Sequence, residues 1–192
     1  MRKLTLADIK DLRAYERERD AFRAEIIATK KKRRIPLGDL MTIVFENAAT
    51  MRFQVQEMAR AERMLRDEQI AHELETYNEL IPEDGELSAT LFIEITDQEA
   101  LRYWLPRLVG IHEHLAFVVG DATVPGRAED VARLTRDDTT STVHYLKFTF
   151  TPDEQRTFEA GPVRLVVDHP EYQADVTLSD EQRDELVGDF AA

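Results

Sequence analysis

The sequence contains no cysteine. Disulfides, thiolate metal sites, cysteine-held iron–sulfur clusters and a cysteine nucleophile are therefore excluded for this chain. Glycine and proline are scarce, at seven each in 192 residues, which leaves little material for a phosphate-cradling loop. Neither G-x-x-x-x-G-K-[ST] nor G-x-G-x-x-G occurs, and H-E-x-x-H and G-x-S-x-G are missing too. No apolar run approaches the ~20 residues of a membrane-spanning helix. Met1-Arg2-Lys3-Leu4-Thr5-Leu6-Ala7-Asp8 meets charge before an apolar h-region can form, so no signal peptide is expected. Together with the missing cysteines, this predicts a cytoplasmic protein.

What is present is charge, unevenly spread. The net charge is −13. Residues 1–36 carry twelve Lys/Arg and six Asp/Glu, a local +6, whereas residues 37–192 carry a local −19. The length predicts a single domain, with a basic arm over 1–36 and an acidic body over 37–192. Lys30, Lys31, Lys32, Arg33 and Arg34 end the arm as five consecutive cations. Their expected partner is an acidic protein or the chain's own acidic body. Nucleic acid is not expected, because the body would repel a phosphate backbone and no aromatic interleaving accompanies the basic run. Homo-oligomerisation is left open.

The pattern of apolar residues predicts an α+β fold. Thr5–Asp8 reads as a capping box opening a short helix. Residues 14–34 lack Gly and Pro, and Tyr15, Phe22 and Ile26 recur at helical spacing. Ile35-Pro36-Leu37-Gly38 reads as the stop. A strand is expected at 40–45. A helix follows, with Met51, Val55, Met58, Glu62 and Leu65 on one stripe, and then another with Ile70, Leu74, Tyr77 and Ile81. The second half changes to strand periodicity at 87–95, 114–119 and 142–150, with a hairpin at 163–178. Short helices are expected after Asp97, after Thr151 and after Ser179, while residues 124–140 read ambiguously, a short helix around 128–134 being one alternative. The expected architecture is a mostly antiparallel sheet in the C-terminal two-thirds, joined by the strand at 40–45, with long N-terminal helices packed on it or projecting from it.

Two groups of residues are candidates for chemistry. His112 and His114 are two apart, so on a strand they would share a face, and His144 lies on another predicted strand. Three imidazoles converging on a sheet could hold Zn or Fe; ordinary strand-end histidines are the plainer reading. A carboxylate di-iron bundle is excluded, since His72 has Gln69 at i−3 and Glu68 at i−4 instead of the Glu-x-x-His spacing. The second group is Glu46, Asn47, Gln54, Gln56, Glu57, Arg60 and Arg63, polar residues beside an apolar stripe. They read as a partner or ligand surface, against a plain solvated helix with weak ion pairs.

Several stretches together carry a family resemblance. They include Tyr15-Glu16-Arg17, Arg33-Arg34-Ile35-Pro36-Leu37-Gly38, Phe45-Glu46-Asn47, Gln54-Val55-Gln56-Glu57-Met58, Tyr77-Asn78-Glu79-Leu80-Ile81-Pro82, Gly85 to Glu94, and Gly110-Ile111-His112-Glu113-His114. The chain resembles the uncharacterised bacterial family known as domain of unknown function 3501, most densely over residues 15–120. The resemblance implies no established activity. It does imply a redox or peroxide-defence setting, because relatives are encoded beside rubrerythrin-like and iron–sulfur oxidoreductase proteins. Two functions are therefore expected in competition: an accessory or interaction protein, and a metal-binding protein or metal-dependent enzyme using His112, His114 and His144.

Overall fold

The structure, a computed structural model, describes residues 1–128, 135–136 and 139–190. A 3-10 turn at Leu6–Asp8 precedes the long helix α1 (Leu12–Arg33). The strands β1 (Arg34–Leu37) and β2 (Met41–Glu46) lead to the helices α2 (Ala48–Ala61) and α3 (Asp67–Asn78). Then come β3 (Glu86–Ile93), α4 (Gln98–Trp104), β4 (Leu115–Val119), β5 (Ala122–Pro125), β6 (Arg127–Ala128), β7 (Thr135–Arg136) and β8 (Thr139–Thr140). The chain continues with β9 (Val143–Thr149), α5 (Pro152–Ala160), β10 (Val163–His169), β11 (Tyr172–Thr177) and α6 (Asp180–Val187).

The fold is α+β, as the apolar pattern predicts, but two antiparallel sheets share the work expected of one. The first has the order β1-β2-β3-β9-β6 and the second β11-β10-β4-β5. Side-chain alternation explains how they stack. Met41, Ile43 and Phe45 of β2, Leu87, Ala89 and Leu91 of β3, and Leu146 and Phe148 of β9 all belong to one core with Leu115, Phe117, Val119, Leu165 and Val167 of the second sheet. Phe45, Phe117 and Phe148 meet there with centroids 4.9–6.3 Å apart. The core extends through Phe150 and Phe158 to Phe190 near the C-terminus. Burying each such ring contributes roughly 1.5–3 kcal/mol.

The outward positions of the first sheet are more polar: Thr42, Glu46, Ser88, Thr90, Tyr145 and Lys147. They do not meet solvent freely, since α1, α2 and α3 lie over this face. A second, smaller core forms there from Met51, Val55, Leu74, Leu80 and Ile81. This is why β2 is buried at every position.

One side chain fixes α1 against the sheet. Arg33, in its last turn, is only 1% exposed. Its Nε donates to the Phe45 carbonyl at 2.8 Å, and Nη2 to the Glu46 carbonyl at 3.3 Å. Nη1 reaches Glu185 at 3.2 Å, and the guanidinium forms a buried ion pair with Asp189. Around it, Lys32 pairs with Glu181 at 3.5 Å and Arg34 with Glu94. Within the described residues, then, much of the basic run is held by acids of the same chain.

Two of these elements differ from the sequence expectation. Residues 34–37 are a strand and not merely a helix stop. Gly38, at φ +68°, closes the β1–β2 hairpin in a backbone region that disfavours side chains, and a Cβ there would strike the Tyr172 hydroxyl. Thr5–Asp8 forms the capping box and opens the short helix expected there, of the 3-10 kind, with the Thr5 backbone N–H donating to Asp8 at 2.7 Å. The α2 stripe ends early: Arg63 takes φ +52°, which turns the chain, and Leu65 is left 82% exposed. The short helix that is one reading of 128–134 falls mostly on residues outside the described set, and Ala128 itself lies in β6. The capping boxes at Thr151–Glu154 and Ser179–Gln182 form as their spacing predicts.

Removing Arg33 leaves Asp189 buried without its counter-charge. Arg33→Ala is expected to destabilise the fold by about 3–5 kcal/mol, read as a lower urea midpoint. Lys31→Ala, at an exposed position on the same helix, is expected to stay within about 0.5 kcal/mol of the parent.

Candidate functional site

Between the helical layer and the outer face of the first sheet lies a cleft of about 250 Å³. Its polar groups come from six elements: Lys30 of α1, Glu46 of β2, Gln54 of α2, Tyr77 of α3, Thr90 of β3 and Tyr145 of β9. Met51, Leu80, Phe92 and Val143 supply apolar wall. Strand register brings Thr90 opposite Tyr145 and Glu46 opposite Ser88. All four point away from the main core by alternation.

Glu46 is the unusual member. Its residue is 3% exposed. Oε1 accepts a hydrogen bond from the Thr90 hydroxyl at 3.1 Å, while Oε2 is buried with no hydrogen-bond partner among the described residues. The Oγ of Ser88, its cross-strand neighbour, is in the same condition. An unpaired buried polar atom costs roughly 1–3 kcal/mol, so two of them on adjacent strands call for an explanation. Burial pushes the Tyr145 phenol above its ordinary pKa, and nearby Tyr77 and the Glu46 carboxylate push it the same way. Tyr145 therefore presents a neutral hydroxyl to the cleft.

The remaining residues of the expected partner surface have different tasks. Asn47 caps α2, accepting from the Thr50 N–H at 3.0 Å. Gln56 is buried and bridges the Lys10 backbone, accepting at 3.0 Å and donating at 2.8 Å. Glu57 accepts from the Tyr15 hydroxyl at 2.7 Å and from Arg19 at 2.8 Å. Arg60 donates to Glu16 at 2.8 Å. Glu57 and Arg60 thus join α1 to α2, Gln56 ties α2 to the segment before α1, and Arg63 occupies the turn after α2. Only Glu46 and Gln54 of that set line the cleft. Tyr77, Thr90 and Tyr145 are not singled out by sequence reasoning, although strict alternation through β9 already places Tyr145 on the face opposite His144.

The histidines do not converge as three. His112 sits in a 3-10 turn, Ile111–Glu113, that follows Gly110 at φ +85°, and not on a strand. Its ring lies 5.4 Å from that of His144, nearly parallel at 19°. His114 meets His169 instead, at 4.9 Å. His114 Nδ1 donates to the Asp168 carbonyl at 2.6 Å. Both ring nitrogens of His169 are engaged, with the Val109 carbonyl and the Glu171 N–H. Among the described residues no three His, Asp or Glu side chains are grouped to hold an ion.

Burial lowers the pKa of His144 to about 4, with neighbouring His112 acting in the same direction. The folded chain therefore keeps His144 neutral where the unfolded chain, near the ordinary 6.5, binds a proton. Stability is accordingly full above about pH 6.5, falls as the pH drops toward 4, and levels off below that. Between pH 7 and pH 5 the expected loss is about 2 kcal/mol, measured by urea unfolding. His144→Asn is expected to flatten that slope.

Comparison with known proteins gives a fold and a family without an activity. No curated protein matches. A crystal structure of a novel protein of unknown function from Burkholderia pseudomallei K96243 is similar at 33% identity and TM-score 0.90, over 98% of this chain and 99% of that one. Residues 3–190 match the family described as "Protein of unknown function (DUF3501)". With nearly the whole chain matched, the resemblance carried by segments such as Phe45-Glu46-Asn47 and Gly85 to Glu94 becomes a membership: the chain belongs to that family.

Proposed function

We propose that this protein is an accessory binding protein whose site is the Glu46 cleft, and that it takes a small polar ligand with a cationic or hydrogen-bond-donating group. The observation that carries this reading is the buried Glu46 carboxylate, with one oxygen unpartnered among the described residues. A carboxylate held by Thr90 at the wall of a cleft accepts a donor readily, and the low dielectric strengthens that contact. Lys30, Gln54, Tyr77 and Tyr145 offer donors to the other end of such a ligand. A volume near 250 Å³ falls below the ~300–1,000 Å³ of drug-sized sites, so a small metabolite fits and a dinucleotide does not. Glu46, Gln54, Tyr77, Leu80, Thr90 and Phe92 all lie in the segments that carry the family resemblance. The redox or peroxide-defence setting, with rubrerythrin-like or iron–sulfur partners, rests on that resemblance alone.

The test separates binding from stability. A panel of primary amines, guanidines and polyols is screened by thermal shift, and hits are titrated by calorimetry. Glu46→Gln keeps the acceptor for Thr90, so its unfolding free energy is expected to stay within about 1 kcal/mol of the parent. Its affinity for any hit is expected to fall at least ten-fold, about 1.4 kcal/mol. A Glu46→Gln variant that unfolds easily, while binding every hit like the parent, would make Glu46 structural and end this reading.

A further inference from the structure

The Glu46 cleft holds more open polar chemistry than one carboxylate. Thr90 commits its hydroxyl to Glu46. The side chains of Lys30, Gln54, Tyr77 and Tyr145 line the same cleft, and none has a hydrogen-bond or ion-pair partner among the described residues. Elsewhere on α2 the pattern is the opposite, since Gln56, Glu57 and Arg60 are all engaged.

Lys30 and Glu46 bring opposite charges to this cleft, yet they form no ion pair with each other, and neither has another counter-charge among the described residues. The cations nearest in the fold are already matched. Arg33 reaches only the backbone carbonyl of Glu46 and is neutralised by Asp189 and Glu185. Lys147, on the same face of the sheet, pairs with Glu86 at 3.6 Å. The arrangement is held in place by α1: Lys30 is half-buried, three residues before the Arg33 that grips the Glu46 backbone.

Charge decides which ligands such a lining suits. A simple amine satisfies Glu46 but brings a like charge beside Lys30. A simple carboxylate or phosphate satisfies Lys30 and meets repulsion from Glu46. In a partly buried site both penalties are screened only weakly. A ligand that carries an ammonium and a carboxylate meets both charges at once, through charge-assisted hydrogen bonds. Burial raises the pKa of the Tyr145 phenol, so its hydroxyl is a further donor to the carboxylate end, as are Gln54 and Tyr77. Met51, Leu80, Phe92 and Val143 suit an aliphatic body, and a volume of about 250 Å³ keeps that body small.

Taking the Glu46 cleft as a binding site, on which this step rests, we infer that its ligand is a small aliphatic amino acid bound as the zwitterion, with the ammonium on Glu46 and the carboxylate on Lys30.

Calorimetry on the full chain tests this with two ligand series. One is leucine, 3-methylbutylamine and 4-methylpentanoate; the other is 4-aminobutyrate, propylamine and butyrate. The series differ in the separation of the two charges. In at least one of them the zwitterion is expected to bind the parent at least about ten-fold more tightly than its amine or its acid. Lys30→Met keeps the length of the side chain and removes its charge. It is expected to melt with the parent and to bind that zwitterion only as tightly as the amine. The ligand comparison on the unmutated chain does not depend on how the variant folds. An amine that binds the parent as tightly as its zwitterion overturns the inference and leaves Glu46 as the binding group of the cleft, and so does a Lys30→Met variant that binds the zwitterion like the parent. No binding by any member of either series, or an acid that binds as tightly as its zwitterion, overturns the inference together with the binding role of Glu46.

Discussion

A buried guanidinium organises this molecule. Arg33 ends the long helix, donates to the carbonyls of Phe45 and Glu46 at the end of a central strand, and meets Asp189 near the C-terminus. Three distant segments are joined at one charge that cannot be left without partners in the interior. The consequence reaches the cleft. Lys30 lies one turn before Arg33, and the backbone of Glu46 is one of the groups that Arg33 holds. The same contact that docks α1 thus sets one wall of the cleft and fixes the strand residue that bears its carboxylate.

The first sheet divides the protein into two chemical environments. Its inner face is an aromatic and aliphatic core, interrupted by His144. Its outer face carries Thr42, Glu46, Ser88, Thr90 and Tyr145 under a helical roof. An antiparallel sheet often leaves such a face to water. Here α1, α2 and α3 cover it, and the helical layer leaves a small polar cleft beside the second, smaller core. The two sets of unpaired buried atoms, Glu46 with Ser88 on one face and His112 with His144 on the other, are separated by the sheet and open to different tests.

Much of the fold is legible in the residues. The Gly- and Pro-free stretch through Tyr15, Phe22 and Ile26 forms one helix, the alternation of 143–149 forms one strand, and the capping boxes at Thr151 and Ser179 open their helices. Less of the site is legible. Glu57 lies one turn from Gln54 on α2, yet it is consumed with Arg60 in joining α1 to α2, and Gln56 in holding the Lys10 backbone. Helical periodicity says which residues share a face, but not which neighbour that face will meet. The spacing of His112 and His114 predicts a common strand face. Gly110, in a left-handed conformation, starts a turn that sends them to different partners.

The sequence by itself determined the α+β class, the alternating strands, the split of charge between arm and body, and the absence of thiol chemistry. These follow from local periodicity, composition and residue type, which need no partner. Tertiary structure decided that the strands form two sheets, that Arg33 leaves the basic run to become buried, and that Glu46 faces a cleft while His144 faces the core. Those outcomes depend on long-range pairing and on which surface each element covers. Only the assembled fold determines where a buried charge or an imidazole nitrogen finds, or lacks, its partner.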